Sequence, residues 1–365
     1  MTDNDFVAKA GTVDVVEGEV SWKAPSNIAL VKYWGKKPEQ IPANPSISFT
    51  LNNCATTTTV KFSKLENKKE DFSFDFFFEG EPKPDFIAKI HTFFERIVGY
   101  CPFLKAYHFE IRTANTFPHS SGIASSASGM AALASCLMDI ESKLNPGIEE
   151  DHFYKKASFL ARLGSGSACR SIKGNLVQWG SHENISGSTD LFGISYPYKV
   201  HPVFEDYQDT ILLVHQGQKK VSSTVGHGLM KDHLYASQRF NQAKENLNKL
   251  KEVFEEGDLK GFIEIVESEA LSLHAMMMTS LPYFMLMKPN TLEIIEALWA
   301  FREKSGLHLC FTLDAGANVH VLYPSREKEE VYQFIKETLL AYCENGKHIC
   351  DQLGNGAVRI NKTEH

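Results

Sequence analysis

Residues 115–129 read NTFPHSSGIASSASG and lie between two segments of different periodicity. The apolar run from Tyr107 to Thr113 predicts a strand, and the small-residue pattern from Ala124 to Ile140 predicts a helix. A Gly/Ser loop at such a junction leaves main-chain N–H groups free beside the positive end of the helix dipole. This arrangement favours binding of an anion, usually phosphate. By composition alone, an N-capped helix after a polar turn is an equal alternative.

The loop does not follow the pattern of the P-loop nucleotide-binding proteins, because no lysine follows its glycine. Its side chains still suit a phosphate, since hydroxyls can donate hydrogen bonds or hold a metal ion. The hydroxyls in question belong to Ser120, Ser121, Ser125, Ser126 and Ser128.

The length of 365 residues and the 43% hydrophobic content predict two domains, which we expect at residues 1–205 and 206–365. Strand and helix patterns alternate irregularly in both halves, which predicts an α+β fold. The net charge of −7 and the lack of a basic tract argue against a nucleic-acid partner. The start of the chain lacks a signal-peptide pattern, and no run of 18 apolar residues predicts a membrane span.

The seven cysteines form neither a C-x-x-C motif nor a zinc-ligand spacing. Their odd number fits reduced thiols, so we expect a cytoplasmic protein.

Periodicity predicts most elements of the chain. Alternation in 72–78 before a break at 79–82 indicates a hairpin. Further strands are predicted at 56–62, 176–179, 210–215, 309–313 and 319–323. Helices are predicted at 84–100, 150–163, 223–281 with a break at Gly257, 289–304 and 327–342. The tail after Gly346 is expected to be loosely ordered.

Four other segments carry residues suited to chemistry. Lys32 and Lys36 end an apolar strand, which suits phosphate or carboxylate binding, although an ordinary basic strand end has the same pattern. Residues 42–51 form a turn feeding a strand with alternating hydroxyls. Glycines and serines in 164–171 frame Arg170 and could hold it against a planar carboxylate; a helix-ending glycine beside a solvated arginine is the alternative. Asp314 lies where a strand meets a glycine turn, a common setting for an Asx turn.

Taken together and in order, five segments resemble the diphosphomevalonate decarboxylase family. They are Lys32-Tyr-Trp-Gly-Lys36, Phe117-Pro-x-x-x-Gly-x-Ala-Ser-Ser-Ala127, Gly164-Ser-Gly-Ser-Ala-Cys-Arg170, Val221-Ser-Ser-Thr224 and Asp314-Ala-Gly-x-Asn318. The family belongs to the superfamily of galactokinase, homoserine kinase, mevalonate kinase and phosphomevalonate kinase, abbreviated GHMP. The resemblance implies a two-domain GHMP-kinase-like α+β fold. Its N-terminal domain resembles a ribosomal-protein domain, and its C-terminal domain is ferredoxin-like.

The resemblance implies ATP-dependent decarboxylation of mevalonate 5-diphosphate to isopentenyl diphosphate, with ADP, phosphate and CO2 released. By the same resemblance, Asp314 lies beside the 3-hydroxyl, Arg170 clamps the carboxylate and Lys32 lies near the transferred phosphate. Asn27 would hold Arg170 or the carboxylate. The remaining substrate-binding residues would be Tyr33, Lys36, Ser165, Ser167 and Ser222.

ATP phosphates would lie in the loop from Pro118 to Ser128, with Mg²⁺ held mainly by phosphates and water. The nucleotide-binding residues would be Pro118, Ser120, Ser121, Gly122, Ala124, Ser125, Ser126 and Ser128. A homodimer without a membrane or nucleic-acid partner is also expected.

The chain departs from the family pattern at three places. It has His119-Ser120-Ser121 where Thr-Ala-Ala is more frequent, Val225-Gly-His227 where Gln-Gly-Met is more frequent, and Lys173-Gly-Asn175 where an aromatic run is usual. The alternatives are therefore a decarboxylase of the 5-monophosphate and a kinase of the superfamily that does not decarboxylate. A non-catalytic phosphate-binding protein is a third.

Overall fold

The computed structural model describes residues 1–9, 11–67, 69–118, 123–217 and 223–361. The strands are β1 (Glu17–Val31), β2 (Ser46–Lys64), β3 (Ser73–Phe78), β4 (Glu81–Pro82), β5 (Tyr107–Asn115), β6 (Leu176–Trp179), β7 (Ile194–Ser195), β8 (Gln208–Leu212), β9 (Cys310–Thr312), β10 (Val319–Tyr323), β11 (His348–Gln352) and β12 (Val358–Arg359). The helices are α1 (Pro84–Ile97), α2 (Ser125–Leu144), α3 (Glu150–Gly164), α4 (Ser223–Gly228), α5 (Ala236–Glu256), α6 (Leu259–Thr279), α7 (Pro289–Ser305) and α8 (Lys328–Glu337).

The first sheet has the order β12-β1-β2-β5-β3-β4, and β6 and β7 extend it from β2. Its described pairs are antiparallel except for β3 with β5, which run parallel. In the first half of β1, every second residue packs into a core that α1, α2 and α3 share: Val20, Trp22 and Ala24. This alternation is what one buried sheet face requires.

The register of β1 against β2 shifts between Pro25 and Asn27. Beyond this irregularity β1 is buried without a break to its end at Val31. Ile28 and Leu30 belong to a second core, which includes residues of α5 and α6. A continuous apolar run is expected where both faces of a strand are covered. The end of β1 thus lies between the two halves of the chain.

The second sheet has the order β11-β8-β10-β9, and every neighbouring pair is antiparallel. Helices α7 and α8 contribute to a core with its strands, for example through Ile294, Leu298 and Ile335. Both halves therefore combine a mixed arrangement of helices with a largely antiparallel sheet. This confirms the α+β prediction, whereas the domain boundary at residues 205/206 stays a prediction.

Three expectations were wrong. The helix expected at 327–342 ends at Glu337, and a short 3-10 helix, Leu339–Tyr342, follows it. The tail after Gly346 is ordered, because β11 pairs with β8 and β12 pairs with β1; local composition gives no sign of such long-range pairing. The tract 223–281 is three helices rather than two, since α4 ends at Gly228 and α5 begins at Ala236. The expected break at Gly257 is confirmed. Gly257 has a φ of 77°, and the Asp258 side chain caps α6.

No helix within the described ranges is long and apolar enough to cross a membrane.

Candidate active site

Lys32 and Asp314 meet between the two halves of the chain. Lys32 directly follows β1, and its Nζ lies 3.3 Å from Asp314 Oδ1. Lys32 is buried, while the Asp314 side chain is 29% exposed. Burial lowers the pKa of Lys32, and the neighbouring Asp314 carboxylate opposes this effect by favouring the ammonium form. The pair therefore combines a fixed cation with a carboxylate that a ligand can reach.

A buried polar network fixes the main chain of Lys32. Its N–H donates to Glu269 Oε2 at 2.8 Å. The same carboxylate accepts hydrogen bonds from the Arg239 guanidinium, including one of 3.1 Å to Oε1, and from Asn246 Nδ2 at 2.6 Å. The Lys32 carbonyl accepts from Asn44 Nδ2 at 2.9 Å. Helices α5 and α6 thus hold the end of β1 in register.

Arg170 lies in a short 3-10 helix, Gly166–Ser171, and is 2% exposed. Its Nε donates to Ser48 Oγ at 2.5 Å and its Nη1 to Ser46 Oγ at 2.7 Å. No carboxylate among the described residues forms a salt bridge with this guanidinium. Asp314 nevertheless favours its charged form, although burial lowers the pKa of Arg170. A buried cation held mainly by neutral hydroxyls is arranged to receive an anion.

Asn27 supports the segment that carries Arg170. Its Nδ2 donates to Ser171 Oγ at 2.8 Å and to the Ser167 carbonyl at 3.2 Å. The side chain is buried, so its contacts are to the protein. This arrangement fits the first of the two expected roles, that of holding Arg170.

The N-terminus of α2 lies beside this segment. Ala124 precedes the helix with a φ of 41°, a left-handed conformation that turns the chain sharply. Ser126 is exposed, and its Oγ lies 3.3 Å from Ser165 Oγ. Ser128 is buried, and its hydroxyl shares a 2.6 Å hydrogen bond with Thr56. Ser125 and Ser126 are therefore better placed than Ser128 to contact a ligand.

A cavity of about 200 Å³ opens next to the first turn of α2. Its lining combines phenylalanines and aliphatic side chains with polar residues, among them Lys89, Asn115, Ser125 and Ser126. A cavity of roughly 150 Å³ is enough to hold benzene. The space beside this helix N-terminus therefore has room for a flat ring system.

A further group of side chains borders the site. It consists of Tyr33, Lys36 and His227. The ring centroids of Tyr33 and His227 are 4.3 Å apart. Burial raises the pKa of Tyr33, so its phenol stays protonated and can donate a hydrogen bond. Lys36 Nζ lies 3.0 Å from Gln40 Oε1. Trp179 lies between Tyr33 and Arg170, since its ring centroid is 4.8 Å from that of Tyr33 and 5.8 Å from the Arg170 guanidinium carbon.

Some predicted residues give no geometry. Ser120, Ser121, Gly122 and Ser222 lie outside the described residues. Pro118 is exposed and is the last described residue before 119–122. Their roles stay predictions.

The side chains of this site fit a metal ion that is bound mainly by the phosphates of a ligand. The described part of the chain contains no group of three or more His, Cys, Asp or Glu side chains that could hold a metal ion. Mg²⁺ commonly keeps waters and binds through substrate phosphates with few protein carboxylates. Asp314 is a carboxylate of this site that is accessible to such a ligand.

Sequence reasoning gave Ser46 and Ser48 no individual role, although it noted their segment, and it missed Glu269 and Arg239. Ser46 and Ser48 did have a signal, because hydroxyls at every second position of a strand share one face. Glu269 and Arg239 had none, since their helical pattern is that of ordinary exposed charges. Their importance arises from tertiary contacts with Lys32.

The two sheets and the cleft between them define a two-domain α+β protein of the GHMP-kinase-like class. Residues 24–190 match the family model of the diphosphomevalonate decarboxylase-like N-terminal domain, and residues 210–364 match that of the mevalonate 5-diphosphate decarboxylase C-terminal domain. The chain belongs to the diphosphomevalonate decarboxylase family.

Individual relatives agree with this assignment. Diphosphomevalonate decarboxylase of Gibberella zeae is 29% identical over 326 residues, which are 85% of this chain and 82% of the relative. The crystal structure of mevalonate diphosphate decarboxylase from Staphylococcus aureus has a TM-score of 0.80 and 29% identity, covering 94% of this chain and 98% of the other. A solved structure of a protein designated MDDEF, in complex with MVAPP, AMPPCP and magnesium, has a TM-score of 0.80 and 28% identity. The match covers 95% of this chain and 100% of the other.

Proposed function

We propose that this enzyme catalyses the ATP-dependent decarboxylation of mevalonate 5-diphosphate to isopentenyl diphosphate, ADP, phosphate and CO2. The observation that carries the proposal is the meeting of Lys32, Asp314 and Arg170 at one cleft, with Lys32 Nζ 3.3 Å from Asp314 Oδ1. Asp314, Lys32 and Arg170 answer the first two requirements of this reaction, and the start of α2 answers the third.

The first requirement is a leaving group. The substrate is a tertiary alcohol β to a carboxylate, and hydroxide leaves poorly. Transfer of the γ-phosphoryl group to the 3-hydroxyl oxygen converts it into a phosphate ester, and the hydroxyl proton is released. Asp314 can accept that proton or stabilise the positive charge that develops at the carbon, while the Lys32 ammonium offsets charge on the transferred phosphoryl group.

The second requirement is control of the carboxylate. When the phosphate leaves with the electrons of its C–O bond, the C–C bond to the carboxylate breaks and supplies the electrons of the new double bond. Arg170 can hold the carboxylate by two parallel hydrogen bonds. Ser46 and Ser48 already fix the plane of the guanidinium. The carboxylate thus stays aligned until CO2 departs.

The third requirement is a nucleotide site. The first turn of α2 offers main-chain N–H groups and the hydroxyls of Ser125 and Ser126 to ATP phosphates. The adjacent cavity of about 200 Å³ would take the adenine ring. Mg²⁺ would supply charge neutralisation between the phosphates. The solved relative with AMPPCP and magnesium supports this part of the proposal.

Localisation and assembly extend the proposal. All seven cysteines are unpaired, and six of them are buried, which suits a reducing cytoplasm. Exposed apolar side chains at Leu281, Tyr283 and Met285 suit contact with a second copy in a homodimer.

The proposal is tested with the purified protein, ATP and Mg²⁺. ADP and CO2 are measured in parallel with mevalonate, its 5-phosphate and its 5-diphosphate. Equal amounts of ADP and CO2 with the 5-diphosphate are expected. Preference for the 5-phosphate would establish the monophosphate alternative. ADP without CO2 would establish a kinase.

A further inference from the structure

His227 is a histidine of the cleft that the reaction scheme above does not use. It lies on α4, directly after Gly226, where an added Cβ would come within 2.6 Å of Trp34 Cη2. Glycine at that position lets α4 approach the chain around Trp34 closely. The His227 ring consequently packs against Tyr33 and Trp34, with centroid distances of 4.3 and 4.6 Å.

One hydrogen bond decides which nitrogen of His227 carries the proton. The main-chain N–H of Gly35 donates to His227 Nδ1 at 2.9 Å. A main-chain N–H can only donate, so Nδ1 is the unprotonated nitrogen. The neutral imidazole therefore carries its hydrogen on Nε2.

The surroundings keep this imidazole neutral. Burial, together with the positive charges of Lys36 and Arg170, lowers the pKa of His227 to about 3. His227 is half-buried, and none of the described residues accepts a hydrogen bond from its Nε2. The chain thus presents one uncharged N–H donor beside Tyr33 and two cationic side chains.

We propose that His227 Nε2–H donates a hydrogen bond to the 5-diphosphate of the substrate, as a specificity-determining residue for that group. The inference rests on the proposed function. The position argues for the diphosphate because Lys36 and Tyr33, two of the expected substrate-binding residues, are its neighbours, and an ammonium and a protonated phenol both suit an anionic group. A neutral N–H donor forms a directional hydrogen bond without adding positive charge to the site. It therefore favours a substrate group that places an oxygen within hydrogen-bond distance of Nε2 over one that does not.

The 5-diphosphate does not take part in the bond changes at C3, so this hydrogen bond is made equally in the ground state and the transition state. Loss of such a contact raises KM and leaves kcat nearly unchanged. A hydrogen bond to a charged group corresponds to roughly a tenfold or larger change in affinity. The 5-monophosphate is shorter by one phosphate, so the loss of the His227 side chain should change its affinity less.

The experiment compares His227→Met, which lacks both ring nitrogens, with His227→Gln, whose amide can accept from Gly35 and donate from its nitrogen. His233→Met is the matched control. His233 also accepts a main-chain N–H at Nδ1, from Tyr235, but its Nε2 bonds the Met276 carbonyl. KM and kcat are measured with mevalonate 5-diphosphate, and binding is measured separately by calorimetry without ATP.

His227→Met is expected to raise KM about tenfold or more with kcat nearly unchanged, and His227→Gln should restore most of the affinity. His233→Met should leave KM unchanged. An unchanged KM in a folded His227→Met enzyme overturns the inference, as does an equal loss in His233→Met. If His227→Met does not fold, the NMR resonance of His227 Nε2 is followed instead in wild-type protein labelled with ¹⁵N-histidine. A shift on adding mevalonate 5-diphosphate is then expected, and no shift overturns the inference. Absence of wild-type turnover would instead count against the proposed function.

Discussion

Arg170 is a buried guanidinium whose described hydrogen bonds go to the hydroxyls of Ser46 and Ser48. Burying a cation without a carboxylate partner is costly, and the cost falls when an anion binds. The same physical argument explains why Lys32 and Asp314 remain paired in the cleft. At the level of single residues, the site holds buried cationic side chains whose charge a bound carboxylate and phosphates can neutralise.

Arg170→Lys keeps the positive charge but loses the planar fork. Lysine cannot bond Ser46, Ser48 and a carboxylate in the same plane. We expect kcat/KM to fall by at least about tenfold, which is roughly 1.4 kcal/mol of transition-state stabilisation. Steady-state kinetics with mevalonate 5-diphosphate measures it, and circular dichroism checks the fold. Near-normal kcat/KM would remove the carboxylate-clamp role.

The sequence was informative about single residues where a motif is local. Arg170 between glycines and serines, Lys32 at a strand end and Asp314 before a glycine turn were all chosen from the chain, and the structure brings them together. The partners that orient them are distant in sequence. Glu269 is 237 positions from the main-chain N–H it accepts, and no local pattern can indicate such a pairing.

At the scale of elements, the end of β1 depends on α5 and α6. Glu269 of α6 accepts from the Lys32 main chain and from Arg239 of α5. Both side chains are almost fully buried. Breaking a buried pair by removing one charge leaves the other uncompensated. The helices of one half of the chain thereby position Lys32, for which we propose a catalytic role, in the other.

Glu269→Gln should therefore destabilise the protein strongly. The Arg239 charge would stay buried without its counter-charge, at a cost of roughly 3–5 kcal/mol. Urea denaturation measures the free energy of unfolding. Glu264→Gln on the same helix is the control, because Glu264 is exposed and solvent already screens its charge. Equal effects of the two substitutions would contradict a special role for Glu269.

Elements with a clear period were predicted well, and elements held by distant partners were not. β6 and β10 have the bounds expected from their apolar runs. The separation of α4 from α5 escaped prediction because residues 229–235 carry no proline or strong breaker. β11 and β12 escaped because a two- to five-residue strand is stabilised by its neighbours in the sheet rather than by its own sequence.

At the scale of the whole molecule, the C-terminal tail joins the two sheets. β11 extends the second sheet and β12 covers the edge of the first. Arg359 Nε lies 2.8 Å from Asp139 Oδ2, and the Ala357 N–H donates to the Ile172 carbonyl at 2.9 Å. The tail therefore links the two halves whose relative position creates the cleft.

Deleting residues 356–365 should lower the melting temperature, because β1 loses its edge partner and Asp139 loses Arg359. The deletion leaves the proposed catalytic residues in place, so activity at low temperature should persist. Differential scanning calorimetry measures the melting temperature, and Arg359→Ala separates the ion pair from the strand. An unchanged melting temperature in the deletion would show that β12 adds no stability.

We expect one cleft to couple phosphoryl transfer to loss of CO2 through Asp314. The most direct measurement is the simultaneous release of ADP and CO2 by Asp314→Asn, with Asp139→Asn as a control for a carboxylate outside the cleft. We predict a folded protein in which both products fall together by roughly 10²–10⁴-fold, whereas Asp139→Asn keeps turnover. ADP release without CO2 would assign Asp314 to the dissociation step. Full release of both products by Asp314→Asn would contradict the account.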